Sequence, residues 1–270
     1  MRHHPSTRSL LLAATGWAAL AGAAAAQSVP AQTEPTQLDD VIVTGQPFGI
    51  SQNATTIATS VVDEEALAVA PASSLGDLLN GLPGVRSTAF APGSSRPVIR
   101  GLTGPRVQVL TNGVGLIDAS SVSPDHQVAT DPAESNRIEI IRGPATLAYG
   151  GSAIGGVVNI LDGRIPEELP EGGIDGSLSA QTSTVDDGTA FNGRATMALG
   201  QFALTVDAVT KDANSYDIPS SPISARRAAA DGIERPDTGG VLPNSFSQLD
   251  AWGVGGSYIG DKGFFGVSYK

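Results

Sequence analysis

A chain of 270 residues is long enough for one large or two ordinary domains. Its 27 acidic residues against 16 basic ones, a formal charge of −11, leave no phosphate-neutralising patch and argue against nucleic-acid binding. The absence of cysteine excludes a disulfide framework, a thiolate metal site and cysteine catalysis, and 33 glycines with 5% aromatic residues suit a turn-rich β protein better than a helical bundle.

Residues 1–26 read as a processing signal. Arg2 and Arg8 make a positive start, Leu10-Leu11-Leu12 opens an Ala-rich apolar stretch, and Ala24-Ala25-Ala26 offers a small-residue cleavage site before Gln27. The competing reading, a retained transmembrane anchor, has only about 17 apolar residues, the low end for a span. Cleavage would remove two basic residues, taking the formal charge to −13, and would take His3 and His4 out of any site.

Residues 27–46 form a linker. Its Pro/Thr/Gln-rich part, through Gln37, is too poor in large apolar side chains to order itself. Then comes Leu38-Asp39-Asp40-Val41-Ile42-Val43-Thr44-Gly45. A short β-prone run beside such a linker is expected to be a strand without a partner, suited to adding to another protein's sheet edge. The other reading makes it the first strand of the next domain.

The span 63–69 predicts a short helix. Ser73 or Ser74 predicts the cap of a second, with Leu75, Leu78 and Leu79 on one face, stopped by Asn80-Gly81 and Pro83-Gly84. Strands are predicted at 97–101 and 106–113, each closed by a glycine turn. Residues 137–160 read RIEIIRGPATLAYGGSAIGGVVNI. This predicts a strand, a turn at Arg142-Gly143-Pro144, a glycine loop and a second strand, Val157-Val158-Asn159-Ile160. Paired glycines within apolar sequence mark positive φ or close approach of another segment.

From Gly173 the pattern becomes a dyad repeat. Leu178, Ala180 and Thr182 alternate with Ser177, Ser179 and Gln181; Phe202, Leu204 and Val206 alternate with Ala203, Thr205 and Asp207. About five strands are predicted, at 174–184, 190–199, 202–210, 247–259 and 263–270. The connections at 200–201 and 260–262 are tight and that at 211–246 is long. Tight turns on one side and long loops on the other suit a membrane barrel, whereas the alternation alone suits a soluble β-sandwich equally.

The motifs LGDLLNGLPGV, PVIRG, VLTNG (with Asn112 where Asp is commoner) and RIEIIRGP…GGVVNI follow one another over about 120 residues. In that order they resemble the plug domain of TonB-dependent outer-membrane receptors. Asp40-Val41-Ile42-Val43-Thr44 resembles a TonB box. The resemblance implies an α+β plug domain over 47–165, followed by antiparallel transmembrane β-barrel strands over 173–270. It implies the outer membrane of a Gram-negative bacterium, import rather than catalysis, and no resident cofactor. It implies TonB, with ExbB–ExbD, as partner, together with outer-membrane lipid and a scarce small ligand or metal. Arg100 and Arg142 would hold the plug by pairing with barrel glutamates. Barrels of this type have roughly 22 strands, several hundred residues at about 10 per strand, so the chain is expected to be a truncated product or fragment.

Ser123-Pro124-Asp125-His126, soon followed by Asp131, holds the one histidine of the mature chain. A carboxylate beside an imidazole offers two ligands suited to Zn²⁺; the plain reading is a solvated loop histidine. Its place between the NG hairpin and the RIEIIRGP strand resembles the zinc-receptor branch, in which an Asp-His pair on the plug faces the external vestibule and binds metal. That implies Asp125 and His126 as metal ligands, Asp131 as a third candidate, and zinc as transported ligand. The long loop 211–246 departs from that branch: it has no histidine and offers Asp212, Asp217, Asp231, Glu234 and Asp237. A metal chelate or haem therefore stays open. The rival from a different class is a secreted soluble β-rich binding module. A catalytic reading finds no G-x-S-x-G, H-E-x-x-H or Walker loop; GSAIGG at 151–156 lacks the lysine of a phosphate loop.

Overall fold

The computed structural model describes residues 42–43, 50–51, 58–70, 74–88 and 90–270. The signal 1–26 and Asp40, Val41 and Thr44 lie outside them. Ile42–Val43 form strand β1, which pairs antiparallel with β2, Ile50–Ser51. The expectation of a partnerless strand is corrected to that extent. A β-prone run closes most cheaply on the nearest such run of its own chain.

Strand β3, Ala58–Val62, leads into helix α1, Glu64–Val69, whose cap is Asp63: its Oδ1 accepts from the Ala66 amide at 2.9 Å. Helix α2, Leu75–Leu79, is capped by Ser74, whose Oγ accepts from the Asp77 amide at 3.3 Å. Its Leu75 and Leu79 are buried. Strands β4, Val85–Ser87, and β5, Pro97–Ile99, form a separate antiparallel pair.

Strands β6 (Val107–Thr111), β7 (Val114–Gly115), β8 (Arg137–Arg142) and β9 (Gly156–Leu161) join β3 in a sheet of order β3-β8-β9-β6-β7. The β6–β9 pair is parallel and the others antiparallel. Asn112 and Gly113 both have positive φ, 50° and 79°, as a two-residue hairpin of matching twist requires. One face of the sheet, with Ile138, Ile140, Val158 and Ile160, packs on Leu75, Leu79, Val85 and Ile99. The other, with Ile141, Val157 and Leu110, lies under the 3-10 helix Pro144–Tyr149. Both faces are covered, which is why β8 is apolar at consecutive rather than alternate positions.

Strands β10 (Ile174–Thr182), β11 (Thr189–Leu199), β12 (Phe202–Ala213), β13 (Ser247–Gly260) and β14 (Gly263–Tyr269) form a second sheet in sequential antiparallel order. Phe202, Leu204 and Val206 of β12, Trp252 and Tyr258 of β13 and Phe265, Val267 and Tyr269 of β14 share one face and are exposed. The opposite face carries Asn192, Arg194, Thr196, Thr205, Asp207 and Lys211 and turns toward the first sheet's domain. Such an apolar-out, polar-in alternation is that of transmembrane strands. Phe202 packs edge-on against Tyr258 beside the tight turns, ring centroids 5.3 Å apart, and Trp252 lies 5.8 Å from Tyr269 higher up the wall. Six residues of rise separate Trp252 from Tyr258, roughly 20 Å. Among the described residues no helix is long and apolar enough to cross a membrane.

Two details differ from expectation. β12 runs on to Ala213, because its ladder with 247–249 continues past the predicted end. The long connection contains helix α3, Ala225–Asp231, capped by Ser224 and ended by Gly232 at φ 66°.

Candidate functional site

Asp125 and His126 sit at the tip of a loop held at its base by a buried ion pair. Asp118 Oδ2 accepts from the Ala129 amide at 3.0 Å and closes the loop, while Oδ1 accepts from Ser120 Oγ at 2.6 Å. Arg96, 5% exposed, reaches Asp118 Oδ1 at 3.4 Å and the Val107 carbonyl at 3.5 Å, tying the loop to the start of β6. Burial alone would raise the Asp118 pKa; the hydrogen bonds from Ser120 and Ala129, with the attraction of Arg96, bring it below the usual carboxylate range.

At the tip, Ser94 Oγ donates to the Asp125 carbonyl at 3.2 Å. Gly93 lies against Ser247 at the start of β13, where a Cβ would be 3.8 Å from the Ser247 Cβ. The tip therefore sits at the end of the wall that carries the long loop, opposite the tight turns. Asp125 and His126 are about half exposed, with His126 Nδ1 and Asp125 Oδ1 3.0 Å apart. Ser123 also donates to Asp125 Oδ1. Hydrogen bonding from Ser123, then from His126, lowers the Asp125 pKa. This geometry makes Asp125 the orienting partner of the imidazole and leaves Nε2 as the nitrogen open to a metal. Among the described residues no group of three or more His, Cys, Asp or Glu side chains could hold an ion.

Asp131 is not part of that tip. It is 3% exposed, caps the 3-10 helix Pro132–Glu134 by accepting from the Ala133 amide, and pairs with Lys211 of β12 at 2.6 Å. As a metal candidate it is corrected: its carboxylate is committed.

Arg142 donates to the Pro83 carbonyl and to Ser60, both in its own domain. The Arg100 side chain is exposed, at a turn residue with φ 51°. Burial first, and then Arg100, lower the Arg142 pKa. The described strands of the second sheet bring no carboxylate to either arginine.

The contacts that join the two domains lie elsewhere. Arg164, 3% exposed, grips Asp207 of β12 with both arms: Nε to Oδ1 at 2.8 Å and Nη2 to Oδ2 at 2.9 Å. Its Nη1 meets Asp162 at 2.8 Å and its Nη2 also meets Glu134 at 3.2 Å. Burial works against its charge, but the hydrogen bonds to Asp207 and the fields of Asp162 and Asp207 raise its pKa above the ordinary value. Lys270 reaches Glu134 at 2.5 Å, and Arg194 donates to the Glu134 carbonyl at 3.2 Å. The sequence did carry a signal. Asp207 is a lone carboxylate on the inward parity of β12, and Asp162-Gly163-Arg164 breaks into charge directly after the apolar run 156–161.

Residues 51–157 match the family model described as the TonB-dependent Receptor Plug Domain. Among solved structures, a variant of the ferric enterobactin receptor PfeA from Pseudomonas aeruginosa matches with a TM-score of 0.53 at 22% identity, over 76% of this chain and 31% of its own. The copper transporter OprC matches at 0.58 and 20%, over 78% and 30%. The FrpB iron transporter from Neisseria meningitidis matches at 0.59 and 14%, over 79% and 31%. The chain thus spans about a third of the length of these structures. The matches establish the fold, a plug domain followed by part of an antiparallel barrel, and support the TonB-dependent receptor family.

Proposed function

We propose that the chain is the plug and opening barrel portion of an outer-membrane receptor of Gram-negative bacteria that imports a scarce ligand with energy delivered by TonB and ExbB–ExbD. One observation carries this reading. The plug domain is docked on the polar face of five strands whose opposite face is apolar and aromatic. That arrangement fits a plugged membrane barrel and counts against a secreted soluble module, which would face water with polar side chains.

In this reading the ligand docks at the long-loop end, where His126 Nε2 contributes one bond to a metal or metal chelate and Asp125 orients the ring. Zinc is the probe of choice, because neutral imidazole with a carboxylate partner suits it. Residues Asp40 to Thr44 serve as the TonB box. The two-residue pairing of Ile42–Val43 with Ile50–Ser51 would be exchanged for pairing with TonB, a swap of one short ladder for another. Traction then rearranges the plug and releases the ligand inward.

Calorimetric titration of the full-length receptor with zinc tests the ligand. His126→Ala should abolish measurable binding at the outer tip, and Asp125→Asn should weaken it about tenfold or more, as loss of an orienting partner does. Equal affinities for wild type and His126→Ala would remove His126 from the site.

A further inference from the structure

Residues 131–166 and the facing wall strands share a charge-balanced cluster, buried at Arg164 and its partners, that the import reading leaves without a role. Arg164 pairs with Asp162 and Glu134 within the plug and with Asp207 across the plug–wall seam, where Lys211 meets Asp131 and Lys270 and Arg194 meet Glu134. Arg164 uses all three guanidinium nitrogens, and its grip on Asp207 is bidentate, beside the single contacts of Lys211 to Asp131 and of Lys270 and Arg194 to Glu134. The wall is shaped to receive this segment. A Cβ at Gly253 or Gly255 would collide with Arg164, and one at Gly266 with Ile165. Ser257 Oγ donates to the Pro166 carbonyl at 2.6 Å. Removing one partner while the surfaces stay docked would leave a buried charge uncompensated, which is strongly unfavourable. Traction enters at the other end of the plug chain, upstream of β3, a strand at the sheet edge paired with β8.

We propose that Arg164 is a clamp: through Asp207 it keeps the plug's C-terminal segment docked on the barrel wall while TonB displaces the remainder. The proposal rests on the import reading. It makes Arg164 a positioning residue, and its signature is a leak that needs traction.

The test uses the full-length receptor in intact cells, with and without functional TonB, and vancomycin as a probe too large to cross the intact outer membrane. Arg164→Gln removes the clamp. Asp207→Asn removes its wall side only and leaves Arg164 its partners Asp162 and Glu134, so the plug keeps its own ion pairs. With receptor levels in the outer membrane equal to wild type, each variant should make cells about tenfold more sensitive to vancomycin when TonB is functional, and not otherwise, since each removes one partner of a buried pair. The double variant should be no worse than Arg164→Gln, because the two residues act as one unit. Unchanged sensitivity would overturn the clamp. So would a leak of equal size without TonB, which would make the cluster a folding feature. Should Arg164→Gln fail to reach the membrane, Asp207→Asn decides alone. Absence of the wild-type receptor from the outer membrane would overturn the import reading, and the clamp with it.

Discussion

Asp118 closes the loop 118–129 on itself, and its titration should be visible there. Its folded pKa lies below the unfolded one, because Ser120, Ala129 and Arg96 stabilise the carboxylate against the opposing effect of burial. The stabilisation is therefore fully present above the unfolded value, about 3.9, and is lost as pH falls through the lower folded value. Hydrogen-exchange protection of the Ala129 amide should fall below about pH 4 in the wild type. In Asp118→Asn it should be weaker at neutral pH and nearly flat across the same range; identical profiles would remove Asp118 from the loop's support. At this scale the sequence is legible where partners are chain neighbours. Asp125 and His126 adjoin each other, so their pairing could be anticipated. Arg164 and Asp207 lie 43 residues apart on different domains, and no spacing rule links them. Arg100 and Arg142 were legible as motif residues, but not in what they touch, because motif membership does not specify a partner.

Elements with their own periodicity or cap chemistry were readable. Asp63 and Ser74 begin α1 and α2 as their side chains require, and the period-2 runs give all five wall strands to within a few residues at either end. Strands β3 and β4 escaped because they are short, and β3 is held by a partner distant in sequence, β8, whereas β4 pairs with the next strand, β5. The wall strands also make a prediction about their glycines. Gly255 faces the plug, where a Cβ would strike the Arg164 carbonyl; its neighbour Gly256 faces outward, with ordinary contact at 3.4 Å. Gly255→Ala should destabilise the docked form by about 1–3 kcal/mol, the cost of overpacking. Gly256→Ala should stay within about 0.5 kcal/mol. Denaturant unfolding in detergent compares them, and equal effects would mean that the plug does not press on β13 there.

Across the whole molecule, the order of the plug sheet was hidden. β9 becomes the central strand by pairing parallel with β6, about fifty residues earlier in the chain, and local pattern does not encode such a crossover. The two-faced wall was legible, since its alternation is local, but alternation could not say which face meets lipid. In the structure the plug docks on the polar face and leaves the apolar face outward. Residues 27–270 should accordingly aggregate in water and disperse in detergent, because Phe202, Trp252, Phe265 and Tyr269 would otherwise face solvent. A soluble monomer that unfolds cooperatively without detergent would favour the secreted module instead.

Energy coupling is the central claim, and a direct titration tests it: the purified periplasmic domain of TonB against the detergent-solubilised receptor, wild type and Ile42→Pro, by calorimetry. Proline removes a ladder donor from the strand that the proposal assigns to TonB. The account predicts saturable binding by the wild type, and loss of at least about tenfold in affinity for the variant, with zinc binding at the outer tip unchanged. Wild-type receptor that does not bind TonB, or a proline variant that binds as tightly, would contradict it.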